Sequence, residues 1–219
     1  MTTTRELKTS TLVGLTLALL VIPLIPLGFR ASFESLNSGL VLARELCIFA
    51  GATLLLIFVR RVEKQPWSSI GLHKIPVGQA VWAIAVGLIG CAVATFVGIL
   101  LIQGLGLPFG GSSASFKPGM LLTSLIMLRA GIVEELCFRA YAITRMERLT
   151  AKTSLAVALP LVIFAAFHAN QGTGGILLAV MLGGILSLVY LWKRNLWINM
   201  IIHFLVDFIP NVVLANVLS

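Results

Sequence analysis

Residues 77–101 read VGQAVWAIAVGLIGCAVATFVGILL, a run of 25 positions without one charged side chain. At about 1.5 Å per residue this stretch makes a helix about 37 Å long, more than the roughly 30 Å of a bilayer's hydrocarbon core. It therefore reads as a membrane span. Six further stretches qualify or nearly qualify: Thr11–Phe29, Gly39–Val59, Met120–Ala142, Thr153–Ala169, Gly175–Trp192 and Leu196–Leu218. The whole chain agrees with them. Of its 219 residues 58% are hydrophobic and 11% charged, whereas a soluble domain carries about 25% charged residues. So few charges cannot cover a water-facing surface, and disorder needs low hydrophobicity. The expected fold class is all-α, a polytopic transmembrane bundle of about seven helices, eight if one span is split. Residues 1–219 then form a single integral membrane domain. Arg5 and Lys8 precede the first stretch as in a signal peptide. That stretch is too long for a cleaved apolar region, contains Pro23 and Pro26, and lacks a small-residue cleavage site. It reads as a retained helix.

The net charge of +8 would suggest nucleic acid on a soluble protein. Here the positions of the cations give another reason. Eleven of the sixteen fall in alternate segments: Arg5 and Lys8; Arg60, Arg61, Lys64 and Lys74; Arg145, Arg148 and Lys152; Lys193 and Arg194. The opposite segments hold only Arg30 and Lys117, and Arg44, Arg129 and Arg139 lie within spans. Cytoplasmic loops collect Lys and Arg, so the N-terminus is expected in the cytoplasm, with no nucleic-acid partner. Trp67, Trp82, Trp192, Trp197, Tyr141 and Tyr190 fall at or near the same boundary, where indole and phenol rings favour the headgroup level. The loop Arg60–Pro76 carries Trp67, Ile70 and Leu72 among its cations. It reads equally as a segment lying along the anionic inner leaflet or as a plain solvated loop. Cys47, Cys91 and Cys137 sit in apolar stretches at no disulfide or zinc spacing and read as packing residues. Gly175, Ala179, Gly183 and Ser187 place a small residue every four positions along the sixth span, a stripe that lets another helix backbone approach.

Against this apolar background the ionisable residues at membrane depth stand out. Each costs about 2.5–3.5 kcal/mol on insertion scales and so implies a function by default. They form three groups: Glu134, Glu135 and Arg139 in the fourth span; Phe164 and His168 in the fifth; His203 and Asp207 in the seventh. Glu135 and Arg139 are four apart on one helix face and suit an ion pair. Glu134 lies about 100° around the helix and points elsewhere. His203 and Asp207 share a face by the same spacing. Arg44 and Glu45 suit pairing across helices, and Arg129 suits neutralising a glutamate, with no catalytic role assigned to them. His73, in a cationic loop, reads as solvated. Depth raises a difficulty. Counted from the cytoplasmic ends, His203 sits about 10 Å up, Glu134 about 12–15 Å and His168 about 22 Å. For the three to meet, the fifth helix must start deeper, tilt, or kink near Pro160.

A carboxylate and two imidazoles in a low-dielectric cavity suit hydrolysis. The carboxylate takes a proton from water, and histidines orient that water, hold a zinc ion or stabilise an oxyanion. Gly110-Gly111-Ser112-Ser113 lies in an outer loop and offers no nucleophilic triad. Cys137 is a weak nucleophile candidate, and neither a phosphate loop nor an H-E-x-x-H helix is present. Two other classes suit the same residues: a transporter or proton relay, although no inverted repeat supports it, and a non-catalytic immunity or scaffold protein.

The three groups, in this order and spacing, resemble the CPBP intramembrane proteases, which include type II CAAX prenyl endopeptidases and Abi-like proteins. The family's motifs are E-E-x-x-x-R, F-x-x-x-H and H-x-x-x-N/D. Here they read Glu134, Glu135, Arg139; Phe164, His168; and His203, Asp207, within about Met120–Phe208. The resemblance implies an intramembrane endopeptidase acting on a membrane-associated, prenylated or leader peptide. Glu134 would activate water with His168, His203 and Asp207 would complete the site, and Glu135 with Arg139 would support it. It also implies either a zinc or other divalent metal held by His168, His203 and Glu134, or a metal-free glutamate mechanism. The short chain points to a prokaryotic inner-membrane member surrounded by membrane lipids. Ala140 replaces a common Gly. Asp207 stands where prenyl-processing members usually have Asn, so it must be protonated, orient His203 or bind a cation.

Overall fold

The structure, a computed structural model, describes residues 4–29, 38–110 and 119–214. Arg30, Lys117, the segment 111–113 and the expected end of the last span at Leu218 lie outside the described residues. Among the described residues there is no strand, and seven helices follow the expected order. They are α1 (4–29), α2 (Ser38–Arg61), α3 (Val77–Gly104), α4 (120–150), α5 (Thr153–Ala166), α6 (Gly172–Lys193) and α7 (Leu196–Leu214). Five of these, α1, α2, α3, α6 and α7, contain stretches long and apolar enough to cross a membrane. Their outward faces remain apolar, as with Leu54, Ile89, Phe96 and Leu188, the surface that lipid rather than water would cover.

The cation-bearing loops meet at one end of the bundle. Leu196 N donates to Gly71 O at 2.9 Å, and Asn195 Nδ2 donates to His73 O at 2.9 Å. Asn195 also caps α7, its side-chain oxygen accepting from Ile198 N at 3.3 Å. His73 is exposed as expected, yet its Nε2 lies 2.9 Å from Arg194 O. The loop 62–76 is a folded platform rather than a plain solvated loop. Its short 3-10 helix Trp67–Ile70 buries Ile70 completely, and Arg145 donates to Ser69 O at 3.1 Å. At the opposite end Gly174 N donates to Pro108 O at 2.9 Å, tying the α3–α4 connection to the start of α6.

Helix α4 departs from the sequence expectation by continuing through Thr150. It is α-helical over Met120–Glu134, π-helical over Glu135–Tyr141 and α-helical again over Ala142–Thr150. Arg145, counted as a loop cation in the sequence, is fully buried there. It pairs with Glu63 at 2.7 Å, and Tyr141 Oη donates to the same carboxylate at 2.7 Å. The longer α4 removes the depth difficulty between Glu134 and His168. Measured from Thr150, Glu134 is about 24 Å along its helix; measured from Thr153, His168 is about 22 Å along the next. The two levels coincide, and α5 stays helical through Pro160. The small-residue stripe of α6 packs inside the bundle, with Gly175, Ala179, Gly183 and Ser187 all buried.

Candidate active site

Helix α4 divides its two neighbouring carboxylates between different environments. The Glu134 side chain keeps 24% of its surface exposed and that of Glu135 keeps 0%. Glu135 Oε1 accepts from Arg139 Nη1 at 2.8 Å, the expected i, i+4 pair. The same oxygen lies 2.7 Å from His203 Nδ1. A carboxylate only accepts, so Nδ1 is assigned as the donor. Glu135 Oε2 accepts from Asn199 Nδ2 at 3.0 Å, and Asn199 also donates to Leu186 O at 2.8 Å. Helix α7 reaches Glu135 because α4 has a glycine where the two backbones touch. A Cβ on Gly131 would lie 3.0 Å from both Met200 O and Phe204 N.

The motif arginine links the first group to the second. The Arg139 guanidinium lies 4.3 Å from the centroid of the Phe164 ring, a cation–π contact in a dry site. Gly183 on α6 makes room for it, since a Cβ there would come 2.8 Å from Arg139 Nη2. One turn beyond Phe164, the His168 ring packs on it with centroids 4.6 Å apart. His168 Nδ1 lies 2.9 Å from Phe164 O. A carbonyl accepts, so Nδ1 carries the proton and Nε2 keeps its lone pair. Phe164 therefore serves Arg139 and His168 together.

Glu134 faces the other way, as its position around the helix implies. It lines a cavity of about 210 Å³ together with His168, Arg129, Cys137, Phe138 and Gln171. Ile22, Pro23 and Pro26 of α1 close part of its wall. Cys137 is buried in that wall beside Glu134. His203 and Asp207 do not line the cavity. They stand behind it, with His203 Nε2 at 3.4 Å from Asp207 Oδ2 and 3.9 Å from Glu134 Oε2. The structure thus joins Glu134 and His168 in one cavity, and His203, Glu135 and Arg139 in a buried network with the partly exposed Asp207 at its edge. The two meet at the Glu134–His203 contact.

The sequence suggested that Arg129 neutralises a glutamate, and the structure identifies two, Glu134 and Glu45. Arg129 Nη1 donates to Glu134 Oε1 at 3.0 Å, and Arg129 Nε donates to Glu45 Oε2 at 2.7 Å. Glu45, fully buried on α2, is also bonded to the adjacent Arg44. The row Arg44, Glu45, Arg129, Glu134 alternates in charge and fixes the exposed carboxylate from one side. Its signal in the sequence was only that Arg44, Glu45 and Arg129 sit at membrane depth. The 84-residue separation of Glu45 and Arg129 hides their contact from any local pattern.

The donor set was tested against the expected metal. Among the described residues, no three His, Cys, Asp or Glu side chains form a group able to hold a metal ion. His203 turns both ring nitrogens toward carboxylates, so only Glu134 and His168 of the three expected ligands face the cavity. This arrangement does not fit a three-ligand zinc centre.

Residues 116–209 match the family described as type II CAAX prenyl endopeptidase Rce1-like. The matched segment contains all three motifs, and the match supports the CPBP/CAAX protease family. The apolar helices of the chain fit a multi-pass membrane protein. Comparison with curated proteins and with solved structures gave no match.

Proposed function

We propose that this chain is an intramembrane endopeptidase in which Glu134 and His168 activate a water molecule to cleave a membrane-associated or lipidated peptide. The observation that carries this reading is the shared cavity of Glu134 and His168. The Glu134 carboxylate accepts a proton from water while His168 Nε2 accepts its second hydrogen and orients it. The hydroxide oxygen bonds to the peptide carbonyl carbon. Glu134 then passes its proton to the leaving amine as the C–N bond breaks. Arg129 donates to Glu134 Oε1 and aims the side chain into the cavity. Glu135, Arg139 and Asp207 fix His203 beside it, where a ring N–H stabilises charge next to the reacting carboxylate. The apolar walls exclude bulk water and strengthen each of these interactions. We also place the protein in a prokaryotic plasma membrane with the N-terminus cytoplasmic. The gathering of the cation-bearing loops at one end supports this orientation.

The test is cleavage by purified protein in detergent, using peptides with and without a lipid anchor. Glu134→Gln and His168→Ala should each abolish hydrolysis while leaving the protein folded, and chelators should leave the wild-type rate unchanged. Activity persisting in both variants overturns the assignment. Loss of the wild-type rate to a chelator, with recovery on adding a divalent metal, overturns its metal-free form.

A further inference from the structure

We propose that the groove between the 62–76 platform and the start of α7 binds an anionic phospholipid, its phosphate on Lys74 and an acyl chain between Trp67 and Trp197. This site lies outside the proteolytic cavity and does not depend on the peptidase reading. The groove encloses about 710 Å³ and is walled by Leu56, Trp67, Ile75 and Trp197, with His73 and Lys74 at its rim. Both indoles face outward, Trp67 at 42% and Trp197 at 56% exposure. Exposed rings at this boundary face the headgroup level of a membrane, and these two line one depression. Arg60 lies over the Trp67 ring, 5.3 Å from its centroid, and adds a second cation beside the groove.

The charge balance selects the ligand. Glu63 and Glu147, which lie at this end, are already paired, with Arg145 at 2.7 Å and Arg194 at 2.6 Å. Arg60, Arg61, Lys64 and Lys74 surround the platform with no carboxylate partner among the described residues. An apolar slot with Lys74 in its lining and Arg60 over one of its rings complements a molecule with an anionic head and an apolar tail. At the level of exposed tryptophans in a membrane protein, that molecule is a lipid of the anionic leaflet. The platform holds its shape without the ligand, because Arg145, Asn195 and the Leu196–Gly71 bond fix it. The site is therefore preformed.

The experiment uses full-length protein carrying Trp82→Phe and Trp192→Phe, so that only Trp67 and Trp197 fluoresce. Phosphatidylglycerol and phosphatidylcholine with brominated acyl chains are titrated into mixed micelles at fixed salt. Half-quenching is expected at a phosphatidylglycerol fraction about fivefold below that for phosphatidylcholine, the factor one surface cation supplies. Lys74→Gln, an exposed substitution, should remove most of that preference, and Arg60→Gln should reduce it by less. Equal quenching by the two lipids, or an anionic preference unchanged in Lys74→Gln, overturns the proposal. Equal displacement by free glycerol phosphate also overturns it and assigns a phosphate-only site. Protection from quenching confined to a dimer fraction would assign the groove to a second copy of the chain.

Discussion

Glu134 and Glu135 are adjacent in sequence, and the structure gives them opposite sensitivities to the same substitution. Replacing Glu135 with Gln exchanges one carboxylate oxygen for an NH₂ group at a position surrounded by donors. One side presents Arg139 Nη1 at 2.8 Å and His203 Nδ1 at 2.7 Å, the other Asn199 Nδ2 at 3.0 Å. Either amide orientation sets donor against donor. Arg139, with 1% of its side chain exposed, is left without its carboxylate. It has no slack, since its Nη2 already lacks a hydrogen-bond partner. Breaking a buried pair by removing one partner costs about 3–5 kcal/mol, which lowers the unfolding midpoint by about 6–20 °C for a chain of this size. Glu134→Gln differs on every count. The site is partly solvated, the amide oxygen still accepts from Arg129, and Arg129 keeps Glu45 at 2.7 Å. Its cost should stay below about 1 kcal/mol, so the midpoint should move by no more than about 4 °C. The assay is the fraction of monodisperse protein remaining in detergent after heating, run beside the cleavage assay. Glu134→Gln should be inactive and stable, and Glu135→Gln markedly unstable. The double variant Glu135→Gln/Arg139→Met removes both partners and should regain at least half of the lost midpoint. Equal shifts for the two single variants, or a double variant no better than Glu135→Gln alone, would refute this division of labour.

Two further outcomes follow from the same geometry. Asp207 Oδ2 lies 3.4 Å from His203 Nε2, a position from which it orients the ring; losing a charged partner there costs about 1.5–3 kcal/mol. Asp207→Asn should therefore lower kcat about tenfold or more with KM little changed, and nearly full activity would return Asp207 to the role of hydrogen-bond donor. At the cationic end, the hydrogen bonds from Arg194 hold the Glu147 carboxyl below its ordinary value of 4.5. A depressed carboxyl contributes stability above that ordinary value and loses it as pH falls through the lower folded-state value. Heating midpoints of wild type and Glu147→Gln should thus differ by a small amount at neutral pH, because the pair is partly exposed, and converge well below pH 4.5. A gap that widens on acidification would contradict the pairing.

The three motif groups were legible because each lies within one turn or two of a single helix, where spacing alone sets direction. The i, i+4 pairing of Glu135 with Arg139 and of His203 with Asp207 follows from 3.6 residues per turn, and so does the opposite orientation of Glu134. The inward packing of the α6 stripe was equally local. Contacts that depend on which helices are neighbours were not legible. Glu45 and Arg129 meet only because α2 packs against α4, and nothing in either segment specifies the other. The separation of His203 from the Glu134–His168 cavity has the same origin, since it depends on α7 crossing α4 at Gly131.

The depth difficulty shows how a composition rule can misplace an element that mixes two purposes. Residues 142–150, AITRMERLT, are polar enough to read as a loop, and hydropathy alone ends the span at Ala142. The chain stays helical because the segment is amphipathic: Ala142, Ile143 and Arg145 turn inward. Arg145 is tolerated there because Glu63 neutralises it on the platform. A buried ion pair thus lets α4 extend past the apolar region, and this extension sets the level at which α5 begins. Without it, α5 would start about 12 Å nearer the reaction level, and His168 would overshoot Glu134 by the same distance. The Glu63–Arg145 pair lies far from the cavity, yet it is part of what brings the carboxylate and the imidazole to one depth.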